Sequence, residues 1–125
     1  MVAVSEVMTA EVATLGPDST LSEAAGVMVR GGFGSVVVVL GKMLLGILTE
    51  RDVLRAAAEV SDLSTVSVEQ WMTPDPDTAE PDLDTEEAAA EMLSRGYRHL
   101  PIVADGEMVG MVSLRDVLSA RIGRR

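Results

Sequence analysis

Two stretches of the chain put the same chemistry at the same spacing. Gly46-Ile47-Leu48-Thr49-Glu50-Arg51-Asp52 is matched by Gly110-Met111-Val112-Ser113-Leu114-Arg115-Asp116. In each, an apolar strand-like run ends in a hydroxyl, and a carboxylate follows three residues later. That spacing suits a helix N-terminus: the hydroxyl accepts from a free N–H and the acid answers the helix dipole. Capping accounts for one such motif by itself. Two at the same offset, each behind a Gly-apolar-apolar run, shift the weight towards a site. A strand end, free helix N–H groups and a hydroxyl can hold a phosphate. A carboxylate beside them can accept from both hydroxyls of a ribose. Together they would read a nucleotide.

The motif recurs because the chain repeats. Sliding the sequence until Met8 meets Met72, without a gap, gives 16 identities in the 47 positions from residue 8 to residue 54. Met8-Thr9 falls on Met72-Thr73, Pro17-Asp18 on Pro81-Asp82, and Met28 on Met92. Glu23-Ala24-Ala25 falls on Glu87-Ala88-Ala89, and Arg51 to Leu54 on Arg115 to Leu118. The chain reads as a tandem duplication, with repeats at 1–60 and 61–125 and a connecting segment at about 58–70.

Both copies show one order of elements. A short extended piece (Val12 to Leu15; Thr78 and Ala79) leads into a helix. Thr20 with Glu23, and Asp84 with Glu87, have capping-box spacing. Leu21, Ala24, Ala25, Met28 and Val29 form its apolar face, as do Ala88, Ala89, Met92 and Leu93 in the second copy. Gly31-Gly32 and Gly96 stop the helices. Two strands follow, Val36 to Leu40 with Leu44 to Leu48, and Leu100 to Ala104 with Met108 to Val112. They turn at Gly41-Lys42 and at Asp105-Gly106, the second being the stronger hairpin signal. A last helix starts near Thr49 or Ser113. Ser67 and Gln70 cap another turn before Val68, Trp71 and Met72, and its counterpart is the Val4 to Met8 turn.

A copy of about 50 residues is too small to bury much core alone. The run Val36 to Leu40 has no polar alternation, so both its faces should be covered. The expected fold is α/β of the α+β kind: two β-α-β-β-α repeats packed sheet to sheet with pseudo-twofold symmetry, helices outside. Ligand sites often lie at such junctions.

Composition removes several functions. The 125 residues include no Cys and one His, His99. Thiolate nucleophiles, Cys-ligated zinc and His-rich metal sites are excluded or disfavoured, so no catalytic and no metal residue is assigned. The longest apolar run, Val36 to Leu40, is far short of the roughly 20 residues of a membrane span. No charged-then-apolar leader opens the sequence, so a cytoplasmic protein is expected. A net charge of −10 disfavours RNA and DNA, whose phosphates must be neutralised.

The repeat, Met-Thr before the first strand, and Gly-x-x-Thr/Ser-x-x-Asp together resemble a tandem pair of CBS domains, also called a Bateman module. The resemblance covers about residues 4–121. It implies clefts that bind AMP, ADP, ATP or S-adenosylmethionine, a role in sensing the cell's energy state, and no required cofactor. Carried over by position, Asp52 and Asp116 would bind ribose, and Thr49 and Ser113 phosphate or ribose. Thr14 and Thr78 would lie near the base. Arg98 and His99, before the Leu100-Pro101 strand, resemble basic residues that face phosphates. The first copy has Gly34 and Ser35 there, so the two clefts should not bind a polyphosphate equally. The resemblance also implies a stand-alone regulatory module, a homodimer through helical faces and an effector protein. The rival is a protein–protein adaptor or dimerisation module with empty clefts. The intact Asp and Thr/Ser of both copies count against it, and a small enzyme fits least.

Other residues have plainer roles. Most of the eight Met sit where core filler belongs. Phe33 and Tyr97 match by the repeat and should close the same corner. Trp71 should pack the connecting helix, and Arg51 and Arg115 should brace a helix or a dimer contact.

Overall fold

The computed structural model describes residues 1–123. Its two compact units do not follow the order of the chain. One is Ala13–Pro76; the other joins Met1–Val12 to the chain from Asp77 onward.

The Ala13–Pro76 unit runs β1 (Thr14–Leu15), α1 (Leu21–Gly31), β2 (Ser35–Leu40), β3 (Met43–Thr49) and α2 (Glu50–Glu59). A 3-10 turn (Leu63–Thr65), α3 (Val68–Trp71) and β4 (Thr73–Pro74) complete it. The sheet order is β1-β2-β3-β4, with β1 parallel to β2 and the other pairs antiparallel. Thr20 and Glu23 form the expected capping box at the start of α1. Gly32 ends it at a positive φ, in the left-handed region that glycine enters without steric cost. The core joins Leu21, Ala24 and Met28 of α1 and Ala56 of α2 to Val36, Val38 and Leu48 of the sheet, with Val68 of α3 beside them. The apolar run of β2 is covered for most of its length, but Leu40 is 59% exposed. It lies at the hairpin turn, paired with Met43, which is exposed as well.

The second unit contains α4 (Thr85–Arg95), β5 (His99–Ala104), β6 (Glu107–Ser113) and α5 (Leu114–Gly123). Strands β5 and β6 pair antiparallel around Asp105 and Gly106. Both of these residues have positive φ, as a tight two-residue hairpin turn requires. Single bridges extend this pair on both sides, Ala79 to Ile102 in parallel and Thr9 to Met111 antiparallel. The four-piece order of the first sheet is kept in reduced form. The chain is thus of mixed α+β type, with β-α-β-β-α occurring twice. Asp84 caps α4 through the Glu86 N–H alone. A reciprocal box would hold the Asp84 and Glu87 carboxylates together without the hydroxyl that Thr20 supplies to Glu23. Each hairpin also has one irregularity at the same place, which leaves Leu45 and Val109 as extra residues on β3 and β6.

The matching arms of the duplication close opposite units. Val68 N–H donates to Ser19 and Leu21 N–H to Val66; at the positions matched by the repeat, Val4 N–H donates to Leu83 and Thr85 N–H to Val2. Val4 is fully buried with Ala88, Met92, Leu100 and Ile102, and burying such a side chain contributes about 1.5–3 kcal/mol. The Met-Thr pair after each arm crosses a glycine of the third strand. A Cβ on Gly46 would lie 2.5 Å from the Met72 sulfur and 2.7 Å from the Thr73 carbonyl oxygen. On Gly110 it would lie 2.5 Å from the Met8 sulfur and 2.9 Å from the Thr9 carbonyl oxygen. The thioether can turn aside; the backbone carbonyl cannot. Gly46→Ala and Gly110→Ala should therefore each lower stability by about 1–3 kcal/mol, the usual cost of overpacking, as measured by urea denaturation.

Candidate functional site

Each matched motif lies where a strand hands over to a helix. In an antiparallel pair, residues directly opposite share a face, and alternate residues along a strand do too. Ser35 opposes Thr49, Val37 opposes Ile47, and Thr14 is in register with Val37. Thr14, Ser35 and Thr49 therefore lie on one face of the first sheet. Val36, Val38 and Leu48 take the other, packed with the helices. In the second unit His99 opposes Ser113 and Pro101 opposes Met111 on the face away from Leu100, Ile102 and Val112.

The hydroxyls and carboxylates form reciprocal capping boxes. Thr49 N–H donates to Asp52 Oδ2 at 2.8 Å, the Thr49 hydroxyl lies 3.1 Å from the same oxygen, and Asp52 N–H donates to Thr49 Oγ1 at 3.4 Å. Ser113 N–H donates to Asp116 Oδ2 at 2.9 Å, and Asp116 N–H to Ser113 Oγ at 3.0 Å. Capping by itself occupies only part of each carboxylate. Asp52 is buried and also meets Arg55, whose guanidinium is 3.3 Å from Oδ1. Reasoning from the motif missed Arg55. Its signal was the repeat, which sets Arg55 against Ser119.

The remaining candidates are less tightly gathered. Arg98 is exposed in the bend before β5. What it brings to the helix is its carbonyl, which accepts the first N–H of α5 from Leu114 at 3.0 Å. Gly34 does the same for Glu50 at 3.1 Å. Among the described residues the Arg98 guanidinium forms no ion pair with an acid. Thr78 lines an open depression of about 280 Å³ with Ala79, Glu80, Val103, Asp105 and Gly106. Arg98, His99, Ser113 and Asp116 do not line it. Among the described residues no group of three or more His, Asp or Glu could hold a metal ion, and no helix is long and apolar enough to cross a membrane.

Phe33 and Tyr97 occupy the same corner: each N–H donates to the helix carbonyl of Met28 or Met92. Tyr97 adds a tie that Phe33 lacks. Its hydroxyl lies 3.0 Å from Glu91 and 3.1 Å from Asp77, and Arg95 reaches Asp77 at 3.2 Å. This anchors the residue next to Thr78.

The CBS domain signature matches residues 4–59 and again 68–123. The chain belongs to the CBS-domain family and contains a tandem pair. A CBS domain-containing protein of Bacillus subtilis, YhcV, is 36% identical over 118 residues, 94% of this chain and 84% of that one. The crystal structure of the CBS-domain containing protein ATU1752 from Agrobacterium tumefaciens superposes with a TM-score of 0.89 at 31% identity, over 96% of this chain and 99% of that one. The CBS domain pair of protein MJ0100 shares the fold, with a TM-score of 0.90 over 100% of this chain and 99% of that one. It is 23% identical and was solved with 5′-methylthioadenosine and S-adenosyl-L-methionine.

Burial, then the bonds to Glu91 and Asp77, pushes the Tyr97 phenol up. Its protonated form contributes stability that is complete below pH ~10, the ordinary phenol value, and is lost as pH rises further. Tyr97 is the one tyrosine of the chain, so tyrosinate absorbance reports it alone. In the folded protein that absorbance should rise later than in urea-unfolded chain, and Asp77→Asn should bring the two curves closer.

Proposed function

We propose that the protein is a regulatory module that binds an adenosine-containing small molecule, an adenine nucleotide or S-adenosylmethionine, and passes its state to an effector protein. The observation that carries this is the duplicated strand-to-helix junction, with a hydroxyl at the N-cap and a carboxylate three residues on in both units. In this reading repeats 1–60 and 61–125 each supply one such junction. Asp52 and Asp116 accept from ribose hydroxyls, and Thr49 and Ser113 meet ribose or phosphate. Thr14 and Thr78 lie by the base, and Arg98 and His99 meet phosphate. The compounds bound to MJ0100, a chain of the same fold, are both adenosine derivatives, which supports the ligand class. We infer a cytoplasmic setting and no catalytic step.

A second reading, a protein–protein adaptor, is favoured by one observation. Val29 and Leu93, and Leu54 and Leu118, are pairs matched by the repeat and exposed on the helices at 83%, 69%, 71% and 50%. Such faces suit a homodimer contact, which the ligand-sensing reading also includes. The two readings part on ligand binding. A ligand at 100 times its Kd stabilises the folded state by ~2.7 kcal/mol, a melting shift on the order of 10 °C. AMP, ATP or S-adenosylmethionine should produce it. The absence of a shift with all three at millimolar concentration would favour the adaptor.

Within the ligand reading, hydrogen bonds to a charged group contribute ~1.5–3 kcal/mol. Asp116→Asn should therefore weaken one site roughly 10- to 100-fold by calorimetry, with a stability loss of about 0.3–1 kcal/mol, since the amide oxygen can still accept from the Ser113 N–H while the charge at the helix N-terminus is lost. Arg98→Ala should weaken AMP more than adenosine, since it removes a charge-assisted phosphate contact. An Arg98→Ala variant that binds AMP as tightly as the parent would return Arg98 to the solvated surface.

A further inference from the structure

The two helix N-termini differ in how much of their carboxylate is already taken. A carboxylate offers about four acceptor positions. Asp52 has two in use, by the Thr49 N–H and hydroxyl on Oδ2, and its Oδ1 is 3.3 Å from the Arg55 guanidinium in an ion pair. Asp116 has one in use, the Ser113 N–H on Oδ2. Among the described residues no cation pairs with Asp116. The Ser113 hydroxyl accepts from the Asp116 N–H without donating back to the carboxylate. The repeat places Ser119 where Arg55 stands, and a serine has no charge to offer.

We propose that Arg55 ranks the two sites, by holding Asp52 in an ion pair with which a ribose diol must compete. This rests on the adenosine reading above and names the residue that makes its two sites unequal towards the nucleoside itself. A cis-diol donates two hydrogen bonds. Asp116 has room for both, whereas at Asp52 the open oxygen, Oδ1, faces the Arg55 guanidinium while Arg55 stays. The side chain of Arg55 is 59% exposed and that of Asp52 8%, so the arginine is the partner that swings into water when the ligand enters. An ion pair this open is screened, and its loss costs the ligand about two- to fivefold in affinity. Arg55 acts through Asp52 and is a positioning residue; it need not touch the ligand.

Adenosine separates this effect from phosphate contacts, because it carries the diol and no phosphate. The Thr49 and Ser113 amides donate to the two carboxylates, so each reports one site in two-dimensional NMR. In the parent protein the Ser113 signal should saturate at a lower adenosine concentration than that of Thr49. Arg55→Ser should lower the Thr49 midpoint about two- to fivefold and leave the Ser113 midpoint alone. Arg55→Lys should keep the parent order, and Ser119→Arg should raise the Ser113 midpoint. With 2′,3′-dideoxyadenosine, which lacks the diol, Arg55→Ser should change neither midpoint. Equal midpoints in the parent, or a Thr49 midpoint that ignores Arg55→Ser in a variant with a native spectrum, would overturn the ranking and leave the adenosine reading intact. Should neither amide respond to millimolar adenosine, both ideas fall together.

Discussion

In each unit a methionine sulfur and a threonine carbonyl cross a glycine that has no Cβ, and much of the structure depends on that approach. Gly46 lies under Met72-Thr73, and Gly110 under Met8-Thr9. The crossing lets the arm lie flat against the third strand, as the Ile47–Thr73 and Thr9–Met111 pairings record. That strand continues for three residues to the hydroxyl that caps the next helix. The position of Thr49 and Asp52, or of Ser113 and Asp116, is thereby tied to an arm from the other half of the sequence. A side chain at either glycine would push on backbone, and close packing gives backbone nowhere to go.

The two units share a backbone plan and differ in where they keep positive charge. In the Ala13–Pro76 unit Arg55 is turned onto its own carboxylate, while Gly34 stands at the head of the strand. In the other unit Ser119 stands where Arg55 does, no cation among the described residues pairs with Asp116, and Arg98 precedes the strand with its side chain exposed. Corner residues differ in the same manner. Phe33 holds its corner through its N–H to Met28, its ring partly exposed; Tyr97 adds a hydroxyl held by Glu91 and Asp77.

Local signals were the most legible in the sequence. Thr20 with Glu23, Gly32 and Gly96, and Asp105-Gly106 each act within a few residues, so their spacing contains the physics. The reciprocal bonds of Thr49 with Asp52 and Ser113 with Asp116 were legible for the same reason. The Asp84–Glu87 spacing misled because a box needs a hydroxyl as well as a distance. Covering Leu40 was expected from an apolar run, yet at the hairpin turn Leu40 and its partner Met43 both stand exposed. The extra residues Leu45 and Val109 left no mark, since an apolar residue reads alike in or out of register. The Val4 and Val68 turns were seen as counterparts, but hydrophobic pattern names no partner. Which sheet each arm would join is a matter of tertiary packing.

The exchange of arms makes the two units unequal as folding problems, although they are alike as structures. Residues 13–76 are contiguous, and every contact within that unit closes a loop shorter than the unit itself. Residues 1–12 must instead find a surface whose strands begin at His99. Closing a loop of that size costs on the order of 3–4 kcal/mol from its length alone, and contacts of long sequence separation form late. A chain emerging from the ribosome can therefore complete the Ala13–Pro76 unit early. Met8 meanwhile has no Gly110 to cross until the last strand, Glu107–Ser113, has been made. Twin geometry gives the molecule a first and a last half in time.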